Sequence, residues 1–341
     1  MKQKVNKRVR AVLALMLTAL LAAGCGRRFQ EQLPEDTRTP QDESLIVVGV
    51  SQIGSESVWR TANSASIQEV FTKENGYFLI FENARQKQEN QIKALRSFIS
   101  QRVDYIVFSP ITESGWDTVL EEAREAGIPV ILMDRKVKVE DSSLYTSWVG
   151  SDFEDEGRKA GQWLERELEE TGRTGEELNV VVLQGTEGAT SVIGRTDGFR
   201  AVADQHENWH ILEQVDADFT TAKGKEEMKR MLQAYPEIDV VVSQNDDMTF
   251  GALDAIREAG KTTGPDGEII VISFDAVKAA LEMVKEGRIN VDIECNPKQG
   301  EYVEKVIRAL EEGRTAEKTY YVPERVFTRR NVGSVLSDRT Y

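Results

Sequence analysis

Short apolar runs alternate with stretches of helical spacing along most of this chain, and the alternation runs twice. Runs of strand length fall at Leu45–Val50, Tyr77–Phe81, Tyr105–Phe108 and Val130–Met133, and again at Val180–Leu183, Ile211–Val215, Val240–Val242 and Ile269–Ile272. Between most of them the apolar residues keep to one helical face. Ile92, Leu95, Phe98 and Ile99, for example, stand opposite Lys93, Arg96 and Gln101. Strand, helix and strand in succession predict right-handed βαβ units and parallel sheets covered on both faces. Four strands precede Ser151 and four follow Asn179, with Tyr145–Ser151 as the connection. The fold class is therefore α/β, with two doubly wound parallel-sheet domains. Such sheets bind ligands beyond the carboxyl ends of their strands, so two facing domains share one cleft there.

The chain before Ser44 is of another kind. Lys2, Lys4, Lys7, Arg8 and Arg10 precede an apolar run from Ala11 to Ala23, which ends at Ala22-Ala23-Gly24-Cys25. A basic start, a short apolar core and a small-residue cleavage site are the parts of an export signal, and the run is too short to span a bilayer comfortably. Residues 1–24 are read as a lipoprotein signal peptide and Cys25 as the acylated first residue of an exported, lipid-anchored protein at the cell envelope. Residues 25–43, polar and containing Pro34 and Pro40, are read as a flexible tether. Loss of the five cations takes the formal charge from −15 to −20. That balance argues against nucleic acid and keeps an exported protein soluble. With Cys25 lipidated, Cys295 stands alone and no intramolecular disulfide is available. Two histidines, His206 and His210, and no Cys-x-x-Cys predict no metal and no cofactor.

Polar residues gather where the strands end. Val130–Met133 runs into Asp134-Arg135, Val240–Ser243 into Gln244-Asn245-Asp246-Asp247, and Ile269–Phe274 into Asp275. The first strand runs into Gln52 and the loop Gly54-Ser55-Glu56-Ser57, followed by Trp59-Arg60. Planar Asp, Asn and Arg groups suit vicinal hydroxyls, since a carboxylate accepts two O–H donors and a guanidinium donates in a fork. Trp59 and Phe219 are placed to lie against the C–H face of a ring. Residues after strands also cap helices, and Asp247 before Phe250-Gly251-Ala252-Leu253 fits a cap. Gly260-Lys261-Thr262 lacks the first glycine of a phosphate loop, Ala255 standing in its place, and follows a helix rather than a strand. No Gly-x-Ser-x-Gly elbow is present.

In order along the chain stand Val50-Ser51-Gln52-Ile53-Gly54-Ser55-Glu56-Ser57 with Trp59-Arg60, then Gln86–Ala94, Met133-Asp134-Arg135 and Leu183-Gln184-Gly185-Thr186. Asp218-Phe219, Asn245-Asp246-Asp247-Met248 and Ser273-Phe274-Asp275 follow. This series resembles the sugar-binding periplasmic proteins of bacterial ABC importers, of the ribose- and galactose-binding class, and its galactofuranose-binding members most of all. The resemblance covers roughly Leu45 to Val322. It implies the type I periplasmic binding protein fold, two Rossmann-like domains joined by a three-strand hinge. One domain would comprise residues 45–148 plus 297–322, the other 149–296 plus 323–341. By the same pattern Trp59, Asp134 and Arg135 hold the sugar from the first domain, and Arg195, Phe219, Asn245 and Asp275 from the second. Gln52, Arg60 and Ser147 are further carry-overs, with Glu294 as a polar contact at the edge where relatives place Gln and this chain has Cys295. Phe153 replaces a commoner Asn.

The implied function is capture of a monosaccharide, galactofuranose-like or galactose-like, by hinge closure and its delivery, without chemistry, to the transmembrane subunits of an ABC permease. A monomer is expected. The alternative is a sugar-sensing subunit that presents the same closure to a membrane histidine kinase or chemoreceptor. A paired-carboxylate hydrolase built on Asp134, Asp246 and Asp275 is the enzyme reading, and product formation from a bound glycoside would mark it.

Overall fold

A computed structural model describes residues 45–341; the signal, Cys25 and tether readings lie outside the described residues. Period-two burial builds both sheets. In the first, β1 (Ile46–Gln52), β2 (Tyr77–Asn83), β3 (Tyr105–Phe108), β4 (Val130–Met133), β5 (Ser147–Gly150) and β11 (Thr319–Tyr321) lie in the order β11-β5-β4-β3-β1-β2, all parallel. Tyr105, Val107, Ile131 and Met133 point to the face covered by α1 (Val58–Val70) and α9 (Gly300–Glu311). Their neighbours Ile106, Phe108, Val130 and Leu132 point to the face covered by α2 (Gln88–Gln101) and α3 (Asp117–Glu125). A strand buried on both faces reads as an unbroken apolar run, which is why these were legible.

The second sheet repeats the plan. Strands β6 (Leu178–Gln184), β7 (Trp209–Asp216), β8 (Val240–Ser243), β9 (Ile270–Asp275), β10 (Val291–Glu294) and β12 (Val326–Thr328) lie in the order β12-β10-β9-β8-β6-β7, with β12 alone antiparallel. Helices α4 (Phe153–Thr171) and α5 (Thr190–Ala203) cover Val180, Val182, Val240 and Val242. Helices α6 (Thr221–Ala234), α7 (Asp246–Glu258) and α8 (Lys278–Glu286) cover Val181, Leu183, Val241 and Val271. The chain crosses from sheet to sheet after β5, after β10 and after β11. One expectation is corrected. Ser147–Gly150 is not the connection but a fifth strand of the first sheet, and the crossing follows at Ser151-Asp152. There Asp152 accepts the Asp155 amide, and Glu154, Asp155 and Glu156 place negative charge at the positive end of α4.

Candidate functional site

Both sheets present their carboxyl ends to one cavity. Trp59, Arg60, Asp134 and Arg135 line it from the first sheet's side, and Arg195, Phe219, Asn245 and Asp275 from the second. The loop after β1 ends at Ser57, whose hydroxyl accepts the Arg60 amide at 3.0 Å and so starts α1 with Trp59 and Arg60 turned inward. Arg60 Nη1 meets Asp134 Oδ2 at 2.7 Å, and Nε meets Glu56 Oε1 at 3.0 Å. Burial disfavours the Arg60 charge, but the Asp134 and Glu56 carboxylates outweigh it and hold the guanidinium above its ordinary value.

Asp134 takes a left-handed turn at the end of β4 (φ 63°), anchored where its carbonyl accepts the Trp148 indole N–H at 3.0 Å. Its Oδ2 also accepts from Ser109 Oγ at 3.0 Å. Arg135 is less provided for. Its Nη1 donates to the Ile111 carbonyl at 2.7 Å, its guanidinium lies 5.2 Å from the Phe219 ring centroid, and its buried Nε, 4.0 Å from Asp134 Oδ2, has no hydrogen-bond partner. Burial and the neighbouring Arg60 charge push it down to about 10, so it remains cationic at neutral pH.

The second side is organised by Arg195, on α5. Nε donates to Glu156 Oε2 at 2.7 Å, Nη1 to the Gln244 carbonyl, and Nη2 meets Asp275 Oδ1 at 3.3 Å. Burial opposes its charge, but Glu156 and further anionic neighbours including Asp275 raise it above the ordinary value. Asp275 sits at the end of β9 with φ 106°, and burial pushes its carboxyl well up against the opposing pull of Arg195. Asn245 caps α7 by accepting the Met248 amide at 2.9 Å and donates to the Phe219 carbonyl at 3.3 Å. The Phe219 ring lies over Gly185, where a Cβ would approach it to 1.9 Å. Capping and cavity-lining are thus combined in one residue at Asn245.

Three of the sequence candidates lie elsewhere. Gln52 stands behind the wall, donating to Asn63 Oδ1 at 2.9 Å and accepting from Arg60 Nη1 at 3.4 Å. Ser147 begins β5, at the amino end of a parallel strand and so at the edge away from the cavity, and donates to the Glu317 carbonyl at 2.9 Å. Glu294 turns to the opposite side of β10, where it pairs with Arg339 at 2.8 Å and Arg325 at 3.4 Å. Conversely Glu56, Ser57, Phe153, Ser191 and Cys295 join the lining. Phe153 and Cys295 were visible as departures from the family pattern; Ser191 carried no signal, being one serine in the first turn of α5.

Hydrogen bonds cross the cleft. Trp59 Nε1 donates to the Cys295 carbonyl at 2.6 Å, the Val58 amide to Asp247 Oδ2 at 3.1 Å, and the Lys136 amide to Thr190 Oγ1 at 3.0 Å. The conformation is closed. At the crossings Ser151 donates to Glu324 Oε1, which also accepts the Asn296 amide at 2.9 Å. Glu156, Cys295 and Glu324 offer ligand atoms within 4.8 Å of one another. Burial and the Glu156 charge push the Glu324 acid up to about 9, so a proton answers the crowding of these two carboxyls at neutral pH. The cavity itself offers forked donors, paired acceptors and aromatic faces, which suits a small polyhydroxylated ring.

The profile of the periplasmic binding protein domain family matches residues 48–315. The galactofuranose-binding protein of Escherichia coli (strain K12) is 38% identical over 302 residues, 84% of this chain and 92% of that protein. A Mycobacterium smegmatis protein solved in complex with β-D-fucofuranose superposes with a TM-score of 0.82 at 39% identity, over 87% of this chain and 95% of its own. The periplasmic binding protein component of the arabinose ABC transporter from Shewanella sp. ANA-3, bound to α- and β-L-arabinofuranose, gives a TM-score of 0.80 at 40% identity, over 86% and 95%.

Proposed function

The chain belongs to the periplasmic binding protein domain family, and from that premise we propose that it captures a monosaccharide in its furanose form and hands it unchanged to an ABC permease. It is a sugar-binding protein of the ABC-importer type. The observation that carries the sugar reading is the cavity between the sheets, in which Arg135 keeps a buried Nε without a hydrogen-bond partner beside Asp134. A ring hydroxyl accepting from Arg135 and donating to Asp134 or Asp275 would satisfy all three, while Trp59, Phe153 and Phe219 cover its C–H faces. The furanose ligands of the two solved relatives support the furanose form.

Ligand bridges the two sides of the cleft, so its differential affinity for the closed form drives closure. A dissociation constant of about 1 μM corresponds to about −8 kcal/mol. A few charge-assisted hydrogen bonds of about 1.5–3 kcal/mol each, less ordering costs, reach that scale. Calorimetric titration of the protein starting at Ser44 with galactose, arabinose, ribose, glucose and galactofuranosides is the test. Tight binding of a sugar that supplies a furanose, with no product formed, is the expected result; no binding across the panel would overturn the reading. Attachment through a lipid on Cys25 accompanies the proposal: Cys25→Ala should release the protein from the membrane fraction. A monomeric capture protein completes it, checked by light scattering with and without sugar.

A further inference from the structure

The cavity wall at Asp275 is a turn that residues with a Cβ rarely adopt. Asp275 and Ala276 both have positive φ, 106° and 57°. The two amides that follow are each held by a buried carboxyl. The Ala276 amide donates to Asp292 Oδ1 at 3.1 Å, and the Val277 amide to Asp246 Oδ2 at 2.8 Å. Asp246 opens α7 and Asp292 lies within β10, so two separate elements clamp one turn. Both side chains are fully buried, and they hold adjacent amides of the same turn.

Two carboxylates bring only acceptors, so two held on adjacent amides in a dry interior call for a proton. Asp292 Oδ2 is buried with no hydrogen-bond partner, whereas Asp246 Oδ1 already accepts from Ser273 Oγ at 2.5 Å. The Ser273 hydroxyl in turn meets Thr249 Oγ1 at 2.7 Å. The charged groups that face the pair are Asp275, from the turn, and Arg339, from the C-terminal segment, whose guanidinium is engaged with Glu294. We propose that Asp246 and Asp292 share one proton, and that this acid pair is the positioning device that keeps Asp275 in the shape sugar binding requires. The proposal rests on the reading of this cavity as a sugar site. Burial, with the Asp275 charge added, pushes the Asp292 acid up to about 8, and burial beside Asp292 raises Asp246 well above its ordinary value. Loss of the proton leaves two like charges on adjacent amides in a dry interior. They separate, and the Ala276 and Val277 amides move with them.

Asp292→Asn separates this role from mere packing. Its amide oxygen still accepts the Ala276 amide, and its N–H donates permanently to Asp246. The experiment compares parent and Asp292→Asn from pH 6.5 to 9.5, by calorimetry with the sugar identified in the panel and by thermal unfolding without sugar. Expected is a parent dissociation constant that is flat to about pH 7.5 and then rises toward about tenfold per pH unit, beside a variant as tight as the parent at pH 7 and flat throughout. A flat parent, or equal pH dependence in both, overturns the proposal, and so does a variant weakened equally at every pH. If no sugar binds either protein, the sugar reading fails on its own and the unfolding curves decide this one. A parent midpoint that falls through pH 8 more steeply than the variant's supports the acid pair; parallel curves overturn it.

Discussion

Arg135 and Arg195 face one cavity from opposite sheets, and their burial has opposite consequences. Arg195 is compensated: Glu156 and Asp275 pair with it and Gln244 accepts from it. Truncation to Ala would strand two buried carboxyls, a loss of about 3–5 kcal/mol in stability. Arg135 holds one hydrogen bond, to Ile111, and its nearest carboxylate, Asp134, is 4.0 Å away and already engaged by Arg60. Arg135→Ala should therefore leave the unfolding midpoint of the sugar-free protein near or above the parent's, while sugar affinity falls by about 2–5 kcal/mol. Unfolding and titration of both variants check the contrast, and Arg135→Ala unfolding as badly as Arg195→Ala would contradict it. Both arginines were legible in the sequence, but their difference was not. Their partners Glu156 and Ile111 lie 39 and 24 positions away, and only the fold brings them close. Glu294 shows the complementary limit, because a strand-end position does not say to which side the side chain turns.

Helices α4 and α5 lie close enough that backbone meets backbone. A Cβ at Gly198 would come within 1.9 Å of the Glu154 carbonyl, and one at Gly157 within 2.2 Å of the Arg195 carbonyl. That approach sets Arg195, on α5, against Glu156, on α4. Gly198→Ala should cost at least about 1–3 kcal/mol through overpacking, read as a lower denaturant midpoint at unchanged slope, and should weaken sugar binding through the displaced Arg195. Elements of this kind were largely readable from the sequence: every one of the eight apolar runs is or contains part of a strand. The four strands left unread fail the apolar rule for physical reasons. Val291–Glu294 alternates apolar with acidic residues and buries both kinds, Ser147–Gly150 has polar or small ends, and β11 and β12 are three residues each. Their places, β11 and β12 at the sheet edges and β5 and β10 next to them, are set by pairing and not by their own composition.

At the scale of the molecule the three crossings act together. Ser151 from the first, Asn296 from the second and Glu324 from the third meet in one set of hydrogen bonds, beside Glu156 and so one step from Arg195 and the cavity. Glu324 stands at about 9 in the folded protein against an ordinary carboxyl value near 4 when unfolded. The folded state binds this proton more tightly. The contribution to stability is therefore fully present below the ordinary carboxyl range and is lost as pH rises through about 9. Glu324→Gln keeps the acceptor for Ser151 and Asn296 and needs no proton, so its unfolding midpoint should decline less than the parent's between pH 5 and 9. Equal declines would remove Glu324 from the hinge's titration.

The crossings also set an order of assembly. One face of the first sheet is closed by Val303, Val306, Ile307 and Val322, and β5 gains its outer neighbour only with Thr319–Tyr321. The second sheet, apart from its short edge strand β12, is continuous from Leu178 to Glu294. A chain ending at Asn296 should accordingly yield a protease-resistant portion around residues 153–294 and a readily cut one around 45–150. During synthesis the half of the molecule made first is completed last, because the residues that close its face and its outer strand come only near the end of the chain.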